Sequence, residues 1–150
     1  MIAIDQTVKF VLNEWAQTQV ETVDQKPVSL KDSKNIYKAS LDFDGLFPGK
    51  CSVFIPHDLA VLVVQKVLGE EDSRDPSIVR DTLCELVNIL TGNLLSACYG
   101  EDVSFDLSLP EIKADIEFSK EKLIKHTRFY EVGSKGFAVV LSDKDNKGAQ

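Results

Sequence analysis

The stretch Asp75-Pro76-Ser77-Ile78-Val79-Arg80-Asp81-Thr82-Leu83-Cys84-Glu85-Leu86-Val87-Asn88-Ile89-Leu90-Thr91-Gly92-Asn93-Leu94-Leu95-Ser96-Ala97 decides the reading of this chain. It opens on a capping aspartate followed by proline, whose fixed φ suits the first helical position and whose missing N–H is not needed there. At about 100° per residue, Val79, Leu83, Leu86, Leu90, Leu94 and Ala97 share one face, with Val87 at its edge. The spacing predicts a helix from Asp75 to about Ala97, ending near Gly100. Asp81, Glu85, Asn88 and Gly92 fall on the opposite side. Glu85 and Asn88 are three apart, so their Cβ atoms lie about 5–6 Å from each other and point the same way. Their neighbours Cys84, Gly92 and Ser96 are small. An ordinary solvent face is crowded with Lys, Glu and Arg, whereas this strip is a low shelf holding one carboxylate and one carboxamide. Gly92 costs about 1 kcal/mol relative to Ala inside a helix. That cost makes sense if another backbone must approach the shelf closely.

Outward from this helix, Asp58–Leu68 reads as a short, strongly apolar helix stopped by Gly69. Before it, Tyr37, Ala39, Leu41 and Phe43 alternate with Lys38, Ser40 and Asp42, which predicts a strand with one wet face. Asp44-Gly45-Leu46-Phe47-Pro48-Gly49 is turn chemistry, and Cys51, Val53 and Ile55 then alternate up to Pro56, so the two runs form a hairpin. Val8, Val11, Leu12 and Trp15, loosely extended by Val20 and Val23, predict a first helix from about Asp5 to Glu21. Asp5 is its expected cap, and Lys26-Pro27 its end. Downstream, Val103, Phe105, Leu107 and Leu109 alternate toward Pro110 as another strand. Two more strands are expected around Lys125–Val132 and Phe137–Ser142, joined by the turn Gly133-Ser134-Lys135-Gly136. Glu111–Leu123 fits neither period. No regular βαβ alternation appears, so the fold class is α+β: a largely antiparallel sheet covered on one side by helices.

The chain has 150 residues, 43% hydrophobic and 27% charged, with a net charge of −7. That suits one domain spanning 1–150, with its core at about 5–142 and a flexible tail at 143–150. An acidic chain with scattered Lys and Arg carries no footprint for nucleic acid and disfavours an anionic membrane surface. Met1–Thr7 holds no basic segment followed by an apolar run, and no stretch approaches the roughly 18 apolar residues of a membrane span. Three cysteines without paired spacing (Cys51, Cys84 and Cys98) fit a reducing compartment, so the expected location is the cytoplasm.

A carboxylate on an open helix can pair with a partner's lysine and fix register. A carboxamide can accept from one group and donate to another, and so hold a water in line with a phosphorus atom. Phosphoryl transfer asks mainly for such positioning. On these residues the sequence resembles a family. Asp81-Thr82-Leu83-Cys84-Glu85-Leu86-Val87-Asn88-Ile89-Leu90-Thr91-Gly92-Asn93 is similar to the E-x-x-N helix of the CheC/CheX/FliY phosphatases. Phe47-Pro48-Gly49-Lys50 with Phe54-Ile55-Pro56 and Leu59-Ala60 resembles the family's hairpin and second helix, and Leu107-Ser108-Leu109-Pro110 the strand after the active helix. The likeness runs over about residues 5–142 and is tightest at 43–110. A single motif resembles CheX more than CheC, since Glu14 and Glu21 are followed three residues later by Gln17 and Asp24.

The resemblance implies a phosphatase acting on the phosphoaspartate of a CheY-like response-regulator receiver domain. Asn88 would orient the attacking water and Glu85 would pair with the receiver's lysine. It implies Mg2+ supplied by the receiver, no metal or cofactor of the chain's own, and a homodimer formed through sheet edges. Asp81 and Gly92 are expected at the partner contact. The alternative is a non-catalytic dimeric module that binds a receiver or a motor-switch-type assembly. Other residues read plainly. Asn93 is expected as a buried amide or helix–helix contact, Cys84 as a small surface residue, Cys51 and Cys98 as packing residues. His57 and His126 read as structural or surface groups, and Trp15 with Leu59–Leu68 as core.

Overall fold

Tyr37, Ala39, Leu41 and Phe43 turn into the core, as their spacing predicts. The computed structural model describes residues 2–31, 33–121 and 126–143. In chain order its elements are α1 (Ile2–Ala16), β1 (Glu21–Val23), α2 (Val28–Lys31), β2 (Ile36–Gly45), β3 (Gly49–Pro56), α3 (His57–Leu68), α4 (Pro76–Tyr99), β4 (Phe105–Leu107), β5 (Glu111–Ile116), β6 (Thr127–Val132) and β7 (Lys135–Asp143). The strands form one antiparallel sheet in the order β1-β6-β7-β3-β2. The far side of β2 is shared: β5 pairs along Ile36–Ser40 and β4 along Phe43–Gly45. Helices α1, α3 and α4 cover one face, where Val8, Leu12, Val63, Leu86, Leu90 and Leu94 meet Ala39, Leu41, Val53 and Val139. The fold class is therefore α+β, as expected.

The hairpin β2–β3 is where a glycine is required by space. A Cβ on Gly49 would lie 2.1 Å from the Ser142 carbonyl oxygen and 2.5 Å from the Phe43 ring. Only a residue without a side chain lets β7 and the Phe43 ring close over this position.

Three expectations are corrected. Asp5 does not cap α1: the helix starts at Ile2, and Asp5 lies inside it with its carboxylate held by Arg128 Nε at 2.9 Å, Arg128 Nη2 at 2.7 Å and the Tyr130 hydroxyl at 2.8 Å. The helix stops at Ala16, before Gln17 at φ 48°, and the Val20–Val23 region becomes β1, with Glu21 opposite Glu131 and Val23 opposite Phe129. Pairing of Glu21–Val23 with β6 overrides the loose helical spacing that Val23 continues. The strand expected over Val103–Leu109 contracts to three residues, because β2 offers β4 only its last three positions.

The other face of the sheet is not simply wet. Leu30, Ile36, Phe54, Phe118 and Ala138 form a second small core, roofed by α2 and the turn Phe118–Lys120. Lys38 lies over the Phe54 ring at 5.2 Å and pairs with Glu121 at 3.1 Å. The segment Glu111–Leu123 resolves into β5 and that turn, with Leu123 outside the described residues. Lys125 and the expected tail beyond Asp143 also lie outside them, while Asp143 itself ends β7 opposite Gly49.

Candidate functional site

Helix α4 begins as its sequence dictates. The Asp75 side chain accepts from the Ser77 N–H at 2.9 Å and from the Ser77 hydroxyl at 2.8 Å, with Pro76 at the first position. These bonds hold the Asp75 carboxyl below its ordinary range. Val79, Leu83, Leu86, Val87, Leu90 and Leu94 are buried, so the opposite side must face out. Asp81, Glu85, Asn88 and Gly92 are all exposed, and Ser96 continues the strip. Each of the four predicted site residues thus stands on one outward ridge.

Among the described residues, no hydrogen bond or ion pair engages the Glu85 carboxylate or the Asn88 amide. Gly92 is open: a Cβ there would meet nothing within 4 Å. No crowding by the protein's own chain demands glycine at this position. Cys84, half-buried beside the pair, has its thiol pushed up by burial and then by Asp81, so it stays protonated and is no ready nucleophile. Among the described residues, no group of three His, Cys, Asp or Glu side chains converges as a metal site.

The buried stripe of α4 winds as the helix crosses its neighbours. It starts on Val79, Leu83 and Leu86 and reaches Thr91 and Leu95 in the last turns. Two expectations fail for that reason: Ala97 is exposed rather than buried, and Asn93 is an exposed side chain donating to the Ile89 carbonyl at 2.8 Å. Cys98 is likewise exposed, lining an open hollow of about 250 Å³ with Ile4, Tyr99, His126 and Leu141. Cys51 is fully buried as expected, which pushes its thiol up to about 11. His57 is structural, its Nδ1 3.2 Å from the Tyr37 hydroxyl. Trp15 packs against the core as expected, and Leu59, Val63 and Val64 lie in it, but Leu62 and Leu68 of the same run face outward.

One residue of this ridge escaped the sequence reading. Tyr99 lies seven positions after Gly92, which is close to two full turns, so it closes the C-terminal end of the strip. The Phe47 ring stacks on it with centroids 4.5 Å apart and planes 9° apart. Projecting the helix past Ala97 to Gly100 would have found it.

The ridge is convex, and small-molecule sites are concave. An apolar hollow of about 350 Å³ exists elsewhere, between the end of α1, α3 and β6, lined by Thr18, Leu59, Leu62, Val63 and Val132. The ridge residues are not among its walls. A carboxylate and an amide in open water do little chemistry by themselves. They gain force only when a partner brings a pocket to them and excludes water.

A family model described as chemotaxis phosphatase CheX matches residues 37–129. No curated protein sequence matches the chain. Among solved structures, the chemotaxis protein CheX from Vibrio vulnificus is 18% identical with a TM-score of 0.72, with 95% of each chain covered. The CheX–CheY–BeF3–Mg2+ complex from Borrelia burgdorferi contains a chain 16% identical with a TM-score of 0.70, covering 95% of this chain and 96% of that one. CheX from Desulfovibrio desulfuricans is 17% identical with a TM-score of 0.70, covering 95% of this chain and 97% of that one. These structures share the fold. No helix of the described residues is long and apolar enough to cross a membrane.

Proposed function

Since the chain belongs to the CheX chemotaxis phosphatase family, we propose that it hydrolyses the aspartyl phosphate of a CheY-like receiver domain, with Asn88 and Glu85 as the acting side chains. One observation carries this reading: the two stand exposed together on the ridge of α4 with no partner among the described residues. The Borrelia burgdorferi structure pairs a CheX with CheY, BeF3 and Mg2+, which supports a receiver as the partner class.

In this reading the ridge enters the receiver's acidic pocket. The Asn88 amide accepts a hydrogen bond from a water and holds its oxygen in line with phosphorus, opposite the scissile bond. The water oxygen bonds to phosphorus, the bond between phosphorus and the aspartyl oxygen breaks, and inorganic phosphate and a free carboxylate result. Asn88 is no base, so its contribution is geometric. The Glu85 carboxylate pairs with the receiver's lysine and sets the register. Mg2+ comes with the receiver and offsets the charge developing on the phosphoryl oxygens. Asp81, one turn before Glu85, and Gly92, one turn after Asn88, border the contact. The reaction belongs in the cytoplasm, and the unpaired Cys51, Cys84 and Cys98 support that compartment. The dimer we assign to this reading uses a sheet edge. Among the described pairings β5 bonds to β2 alone, which leaves its outer edge available.

The test is the decay of phosphorylated receiver domains with and without the protein. Wild type accelerates loss of phosphate from its cognate receiver. Asn88→Ala removes the acceleration, about 10²–10³-fold, while retaining binding and the melting temperature. Binding without acceleration by wild type would instead assign the non-catalytic module.

A further inference from the structure

We infer that the receiver-docking face extends along α4 from the Glu85–Asn88 pair to an aromatic step made by Tyr99 and Phe47, with Leu46 beside it. The inference rests on the function proposed above and adds where the partner's affinity comes from. Asn88 and Tyr99 are eleven residues apart on one side of a helix, which is about 16 Å along its axis. A specific interface covers about 800 Å² on each partner, wide enough to span both. Between them the ridge stays low: Gly92 has no side chain, Ser96 is small, and both are exposed.

The step is apolar and outward, and its rings are packed on one another. Leu46 is 74% exposed and Phe47 41%, and the Phe47 ring continues into that of Tyr99, so the exposed apolar surface is joined rather than scattered. Behind them Tyr99 meets Phe105 at 5.6 Å, and Phe105 meets Phe43 edge-on at 5.8 Å. Phe43 is 2% exposed, so the stack is rooted in the main core. An aromatic group already locked in place loses little freedom on binding, which is what makes such residues anchors of an interface.

Charge indicates what the step fits. Glu101 and Asp102, both exposed, begin two residues after Tyr99. The apolar step therefore has an anionic edge where α4 ends. Its complement is a receiver surface with an apolar centre and lysine or arginine around it. A second copy of this chain would bring the same carboxylates against these, so self-association through the step is disfavoured.

The experiment measures kcat and KM on a panel of phosphorylated receiver domains, and Kd for the same domains charged with beryllofluoride. The variants are Leu46→Asp, Phe47→Ser and Asn88→Ala. Leu46 touches little of its own chain, so Leu46→Asp keeps the measurement decisive even if Phe47→Ser loosens the stack. Both step variants are expected to raise KM and Kd about tenfold with kcat retained, whereas Asn88→Ala lowers kcat with Kd retained. Unchanged KM and Kd in Leu46→Asp, with turnover still lost in Asn88→Ala, overturns the docking step and leaves the phosphatase reading standing. If wild type binds a receiver without accelerating phosphate loss, the phosphatase reading fails, and the Kd of Leu46→Asp alone decides the step. A step variant that changes the oligomeric state and not receiver binding also overturns it.

Discussion

Gly92 separates stability from function more cleanly than any other residue of the ridge. Glycine in the interior of a helix costs about 1 kcal/mol relative to alanine, and here a Cβ would meet nothing within 4 Å. Gly92→Ala is therefore expected to raise stability by about 0.5–1 kcal/mol in chemical denaturation. The same methyl group stands one turn from Asn88, where the proposed docking brings the partner's backbone close. Stimulated dephosphorylation is expected to fall several-fold, mostly through KM. A variant that is both more stable and fully active would remove the reason for a glycine at this position. Glu85→Lys tests the other half of the pair: in the proposed docking it places a cation against the receiver's lysine, and KM is expected to rise by at least tenfold with the fold unchanged. Glu85 and Asn88 were legible in the sequence because helical spacing alone puts them opposite the apolar stripe. Asn93 was not, because its environment depends on how far that stripe has wound around α4 by the last turns, and the winding is set by neighbours distant in sequence.

At the scale of elements, legibility follows how local the deciding forces are. Helix α4 was readable at its start because Asp75, Pro76 and Ser77 build the cap within three residues. The β2–β3 hairpin was readable from two alternating runs and a glycine-containing turn. Strand β1 was not, since among the described residues its strand partner is β6, more than a hundred positions later. The second core was hidden for the same reason: Leu30, Phe54 and Phe118 are isolated apolar residues until the sheet brings them together. The hairpin's own vulnerable point is Gly49. A Cβ there would lie 2.1 Å from the Ser142 carbonyl oxygen, a backbone atom that cannot swing away. Gly49→Ala is expected to destabilise by about 2–3 kcal/mol. Because β3 pairs with both β2 and β7 at this end, the loss should appear as faster amide exchange at the Gly49 end of β3 and in the paired last residues of β7. Equal exchange in wild type and variant would mean that the strands can part here without cost.

For the whole molecule, the contact that joins its two ends is Asp5 of α1 with Arg128 and Tyr130 of β6, 123 and 125 residues away. The ion pair is mostly enclosed, with side-chain exposures of 22% for Arg128 and 18% for Asp5. Burial by itself raises the Asp5 carboxyl. The hydrogen bonds from Arg128 and Tyr130 and the nearby guanidinium charge together outweigh it, and the carboxyl ends below its ordinary value of 3.8. A carboxyl depressed in the folded state stabilises fully above its unfolded pKa, and that contribution disappears as pH falls through the folded one. Wild type is thus expected to keep this contribution at neutral pH and lose it progressively below pH 3.8. Asp5→Ala leaves the Arg128 charge and the buried Tyr130 hydroxyl without their acceptor, and should cost about 2–3 kcal/mol at pH 7. The difference between variant and wild type should then shrink as the solution is acidified through that range, measured by urea unfolding at each pH. Since α1 packs along α4, loosening it should also blur the ridge, slowing receiver dephosphorylation near the variant's melting temperature but not well below it. A pH-independent difference would show that α1 is held by its apolar face alone, with Arg128 and Tyr130 resolvated at no cost.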